Sequence, residues 1–186
     1  MPAGLPFHAA PDSHVRREPA LRLPPNYRYA GTGGDAPSYF ATTIETVKEK
    51  MANNGRARHH SKTRYFYCIY CQFDSALRGF HVDRQWHPEH LIRVDHIFPF
   101  SAVIQHVNTC YTEADYQRMV DDGFLPQTEP GCHAGWNMND AMQREILYND
   151  VDNLHVICSG HMQDKRDQIN YLGLMPRQIQ QMYPAP

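Results

Sequence analysis

The sequence predicts an α+β domain over residues 38–186, behind an extended arm over residues 1–37. Three observations carry this. Helical spacings and β-favouring aromatic runs alternate along the chain with no internal repeat. Two Cys-x-x-Cys/His pairs, far apart in sequence, each adjoin one of the apolar runs. Seven of the 14 prolines fall in the first 37 residues, which show no periodicity of either kind, so the packed part begins after them.

From Ser38 a capped helix is predicted, with Phe40, Ile44, Val47 and Met51 on one face and an end near Asn53-Asn54-Gly55. The stretch from Arg56 to Arg64 reads as a basic loop: Arg56, Arg58, Lys62 and Arg64 occur there with no acid. Residues 64–70 are aromatic and β-favouring and read as a strand entering a cysteine turn. His81, His87 and His90 fall in a polar hairpin and read as surface residues, and Trp86 and Trp136 as packing residues. A second strand covers 90–97 and is broken by Pro99. Residues 112–122 form a capped helix closed by Gly123, and another helix runs from about Asn139 to Tyr148. The apolar run from Asn153 to Cys158 precedes a helix over about 160–171, and a short tail helix follows Pro176.

Composition narrows the function classes. Eighteen Lys and Arg stand against 20 Asp and Glu, a net charge of −2, which excludes a wholesale polycation but leaves room for a local basic patch. No apolar run reaches the length of a membrane span. The first residues lack the charged and apolar regions of a Sec signal peptide. The expectation is a protein that acts in the cytoplasm, or one delivered to a target cell by another route, with no membrane partner. Five cysteines without that signal point to metal binding before disulfides.

The pairs Cys68-x-x-Cys71 and Cys158-x-x-His161 have metal-ligand spacing. A two-residue spacer lets both donors of a pair reach one ion, and two such pairs supply the four donors of a tetrahedral Zn²⁺ site. A structural zinc would then join the start and end of the domain. The competing readings are ordinary buried thiols, or a redox pair at Cys68 and Cys71. Cys110 and Cys132 have no partner at ligand spacing, and Cys132-His133 is a weak fallback pair.

Between the pairs lies Val94-Asp95-His96-Ile97-Phe98-Pro99-Phe100-Ser101. Two adjacent polar groups at the end of an apolar strand must find partners, and a strand end is a good place to present a base and a ligand. The order Cys68/Cys71, then Asp95-His96-Ile97-x-Pro99-x-Ser101, then Asn153-Leu154, Cys158/His161 and Lys165 resembles the HNH endonucleases of the ββα-metal fold. The resemblance spans residues 68–165. It implies a ββα-metal core over 64–172 with zinc knuckles and flanking helices, carrying an insertion of about 102–150 between the β-hairpin and the last helix.

The resemblance also implies roles. His96 is the general base that activates water. Asp95 is a ligand for a catalytic Mg²⁺ or similar divalent ion, and Asn153 holds the His96 ring through its side-chain amide. Lys165 or Arg166, on the last helix, contacts a phosphate near the cut; apart from the resemblance, the charge run of Arg56, Arg58, Lys62 and Arg64 reads either as a solvated loop or as further sequence-independent phosphate contacts. The pattern departs from the family at Met162, where His or Asn usually completes the catalytic metal site. A thioether is a poor Mg²⁺ ligand. Three readings stand: His161 is the second catalytic ligand; the ion is held by Asp95, phosphate and water, with a donor from the insertion such as His133; or the fold is kept without the activity.

The expected function is therefore a metal-dependent endonuclease on DNA, or on RNA, with little sequence specificity. A free-standing domain behind a Pro-rich arm also fits an antibacterial toxin with a cognate immunity or inhibitor protein. The alternative is a zinc-stabilised module of the same fold that binds nucleic acid or protein without cutting.

Overall fold

A computed structural model describes residues 38–74, 85–128 and 133–183. The arm over 1–37, His81 and Cys132 lie outside the described residues. The architecture is mixed α+β: helices surround two small antiparallel sheets.

Helix α1 (Ala41–Asn53) starts at Phe40 with no side-chain cap. Ser38 is therefore not the cap the sequence suggested. Instead Asn149 clamps the entry, accepting from the Phe40 N–H at 2.9 Å and donating to the Ser38 carbonyl at 3.0 Å. The helix buries Thr43, Val47, Lys50 and Met51, while Phe40 is exposed and is not part of the buried face the sequence suggested.

The basic segment is not a loop. Strands β1 (Ala57–His60) and β2 (Thr63–Tyr67) pair antiparallel around a turn at Ser61, whose φ is 55°. Strand β3 (Trp86–Pro88) pairs with the other edge of β2. The chain leaves β2 at Cys68 straight into a short helix, α2 (Ile69–Phe73), which carries Cys71.

The second sheet is β4 (Ile92–His96) against β5 (Leu154–Cys158), in a register that sets Ile92 opposite Cys158 and Asp95 opposite His155. Helix α6 (Ser159–Lys165) follows β5 directly. The material between β4 and β5 holds α3 (Phe100–Val107), α4 (Glu113–Asp121) and α5 (Ala141–Tyr148). This corrects the expected topology. The insertion separates the two paired strands; it does not follow a completed hairpin, because β2 pairs with β1 and β3 and leaves β4 to β5.

Local signals placed the ends of several helices. Thr112 and Asp115 form a reciprocal capping box on α4, and Asp140 caps α5. Gly123 follows α4 at a φ of 82°, where a Cβ is disfavoured. Helix α6 is shorter than expected, ending at Arg166 with a φ of 46°. Tyr171–Gly173 forms a separate 3₁₀ turn before α7 (Pro176–Gln181). One core joins the layers: Met51, Phe66, Val94, Ile104, Val120, Leu147, Val156 and Ile179 are all buried in it.

Candidate functional site

Two constellations occupy opposite ends of the β4–β5 pair. The first is the sulfur cluster. Cys68 follows β2, Cys71 lies on α2, Cys158 ends β5 and His161 lies on the first turn of α6. Their ligand atoms all lie within 4.8 Å of one another, and all four residues are buried. The His161 Nδ1 stands 3.7 Å from Cys68 Sγ, 3.4 Å from Cys71 Sγ and 3.2 Å from Cys158 Sγ. The Cys71 and Cys158 sulfurs are 3.9 Å apart. Donors about 2.0–2.3 Å from a tetrahedral Zn²⁺ stand roughly 3.5–3.8 Å from each other, so the spacings suit that ion.

The electrostatics point the same way. Hydrogen bonds from Cys68 and Cys71 hold the Cys158 thiol far below its ordinary range, while the same contact with Cys158 drives Cys71 far above it. Burial opposes charge on His161, yet the sulfurs of Cys158 and Cys68 outweigh it and push the imidazole up to about 10. Three sulfurs and an imidazole in one buried space are a donor set compatible with Zn²⁺.

Two supporting residues were not legible in the sequence. Asp74 accepts from His161 Nε2 at 3.3 Å, which turns Nδ1 toward the sulfurs. His87, expected on the surface, is half-buried with Nε2 3.2 Å from Cys71 Sγ. His161 thus belongs to the sulfur cluster, and Met162 packs against the hydrophobic core. Cys110 sits apart, its thiol hydrogen-bonded to the His106 carbonyl.

The second constellation is Asp95-His96 at the end of β4. His96 is buried, and its Nε2 lies 2.9 Å from the Tyr148 carbonyl. A carbonyl only accepts, so Nε2 carries the proton and Nδ1 presents a lone pair. The Tyr39 hydroxyl donates to that lone pair at 3.2 Å. Burial holds the His96 pKa down at about 4, so the ring is neutral at ordinary pH. Asp95 accepts from Lys165 Nζ at 2.7 Å, and the same ammonium donates to the His96 carbonyl at 2.8 Å.

Several expected contacts are replaced by others. Asn153 does not touch the His96 ring. Its amide accepts from the Phe98 N–H at 2.7 Å and donates to the Phe98 carbonyl at 3.0 Å, pinning the backbone just after the strand. Lys165 is buried on Asp95 and is not placed to meet a phosphate. Arg64 is ion-paired with Glu89 at 2.7 Å and Glu45 at 3.5 Å. Arg58, Lys62 and Arg166 are exposed, and Arg56 is half-buried over the Tyr67 ring. His133 lies in the insertion, paired with Asp150 at 3.0 Å.

The donor set at Asp95 does not build a divalent-ion site as it stands. It offers one carboxylate, already bound by an ammonium, with a thioether at the position where the resemblance expects a second ligand. Among the described residues no helix is long and apolar enough to cross a membrane. No family model, no curated protein and no solved structure matches the chain.

Proposed function

We propose that this chain is an endonuclease of the HNH type, hydrolysing phosphodiester bonds with His96 as general base on a scaffold organised by a structural zinc. The observation that carries the reading is the state of His96: a fixed tautomer, a neutral ring, and a lone pair on Nδ1 already accepting a hydroxyl proton from Tyr39. That is the geometry a base needs toward water. In the reaction a water takes the place of the Tyr39 hydroxyl and gives its proton to Nδ1. The imidazolium so formed is compensated by the Asp95 carboxylate and the Tyr148 carbonyl, both of which favour the charged ring. Lys165 holds Asp95 and the His96 carbonyl in register, and Asn153 fixes the backbone that follows.

Cys68, Cys71, Cys158 and His161 would hold the zinc, which supplies folding energy and no chemistry at the phosphate. The resemblance implies a catalytic divalent ion at Asp95, a carboxylate that the Lys165 ammonium already occupies. Delivery as a toxin with an immunity protein is a further part of this proposal and rests on the arrangement of the sequence alone.

A second reading, a binding module without hydrolysis, is favoured by the closure of the centre: Lys165 on Asp95 and Tyr39 on His96. One experiment separates them. Supercoiled plasmid is incubated with the protein and Mg²⁺ or Mn²⁺, with excess EDTA, and with His96→Ala. The expected result is nicking that His96→Ala lowers by about 10²-fold or more. No cleavage by zinc-loaded wild type, or equal cleavage by His96→Ala, overturns the endonuclease.

A further inference from the structure

His87 stands beside the sulfur cluster without being one of its four donors. Strand β3 sets it opposite Phe66, which is fully buried. Residues opposite one another in an antiparallel pair share a face of the sheet, so His87 turns inward with Phe66. Its Nε2 reaches the Cys71 Sγ at 3.2 Å, within hydrogen-bond distance for sulfur. Gln85, just before β3, accepts through its carbonyl from the Cys68 N–H at 2.9 Å. The entry to β3 is thus tied to both cysteines of the Cys68-x-x-Cys71 turn.

Charge gives the His87 contact a purpose. Three thiolates and a neutral imidazole around a Zn²⁺ leave one negative charge in excess, and all four donors are buried. A buried charge is costly without hydrogen bonds, and a donor aimed at the charged atom offsets part of that cost. Cys158 accepts such a bond from the His161 backbone N–H. Cys71 has the His87 ring. A metal-bound thiolate has no proton to give, so the bond runs from His87 Nε2–H to Cys71, which fixes the tautomer.

We propose that His87 is a positioning residue of the metal centre, keeping the Cys71 thiolate on the ion by donating its Nε2–H to the sulfur. The inference rests on the structural zinc and is independent of hydrolysis. Charge drawn from the sulfur into the hydrogen bond makes the thiolate a poorer base, so Cys71 is slower to take up a proton and leave the metal. His87 therefore governs how long the ion stays, although it is not a ligand.

The test compares wild type with His87→Phe, which keeps a ring and loses the donor, and with His87→Gln, which keeps a side-chain N–H. Zinc-loaded protein is mixed with excess EDTA and its loss of zinc is timed. Cobalt(II) is then exchanged into the same site and the sulfur-to-cobalt charge-transfer band is recorded. His87→Phe is expected to release zinc about tenfold faster. Its band should move to longer wavelength, because a thiolate without the hydrogen bond gives up an electron more readily. His87→Gln is expected to return both readings toward wild type. His87→Ala, which adds no bulk, stands in for His87→Phe if that variant takes up no metal. An unchanged release rate, an unmoved band, or a His87→Gln that behaves as His87→Phe overturns the role of His87 and leaves the zinc site standing. A wild type that takes up neither zinc nor cobalt overturns the zinc site and the role of His87 with it.

Discussion

The sulfur cluster and the Asp95-His96 centre terminate the same pair of strands, about 13 Å apart along β4 at roughly 3.3 Å per residue, yet they reach neutrality by different means. At the Cys158 end, three buried sulfurs and an imidazole lie close enough to hold a metal ion. At the His96 end the chain supplies its own cation and its own hydroxyl, Lys165 and Tyr39. Two polar motifs at the ends of one strand pair therefore need not share one chemical state. The first end is a set of donors that a metal ion would join; the second is closed by Lys165 on Asp95 and Tyr39 on His96.

The largest effect is expected at the sulfur cluster. Cys158→Ser should lose about one equivalent of zinc and, with it, most of the order at that end, since structural zinc contributes on the order of 10 kcal/mol to folding. Metal analysis and thermal unfolding read this, and unchanged zinc content would refute the assignment. A smaller effect is expected at the other end. Asp95→Ala leaves the buried Lys165 ammonium unpaired and should cost about 3–5 kcal/mol in urea unfolding. Zinc content should stay at the wild-type level in that variant, and its loss would mean that the two ends are not independent.

A pH series is expected to report on the His96 end without altering the sulfur cluster. The folded pKa of His96 lies at about 4, below its ordinary 6.5, so the folded state binds fewer protons than the unfolded chain between those values. Stability from this residue is therefore full above pH 6.5 and is lost as pH falls toward 4. His133 is lowered in the same way and adds to the slope, while burial raises Asp150 to about 6 and opposes it. His96→Asn should flatten the wild-type slope of unfolding free energy between pH 7 and 5, and an unaltered slope would place the titration elsewhere. The smallest effect belongs to Tyr39→Phe, which removes one hydrogen bond to Nδ1 and should cost about 1 kcal/mol. If the Tyr39 hydroxyl occupies the position of the attacking water, the same variant should cut plasmid faster than wild type.

Much of the sulfur cluster was legible because its signal is local. A Cys-x-x-Cys spacing places two donors on one turn, whatever the remainder of the chain does, and each pair follows a β-favouring run that delivers it. The capping box at Thr112 and the proline opening α7 are local in the same sense. The Asp95-His96 centre was legible in its residues and not in their partners. The sequence separation between Asp95 and Lys165, or between His96 and Tyr39, leaves no mark in the spacing of either. Asn153 illustrates the point: its place in the motif was clear, but its amide binds the Phe98 backbone instead of the His96 ring.

By itself the sequence determined which side chains share a turn or strand end, because covalent spacing and helix or strand period decide that locally. It therefore determined the two Cys-x-x-Cys/His pairs and the Asp95-His96 pair ending β4. Only the tertiary structure decided which charges meet. The register of β4 on β5 brings Lys165 under Asp95, the Asn149 clamp turns Tyr39 onto His96, and the pairing of β1 with β2 sends Arg64 inward to Glu89 while Arg58 faces out. Such meetings depend on long-range packing and on burying every charge with a partner, which no local pattern encodes.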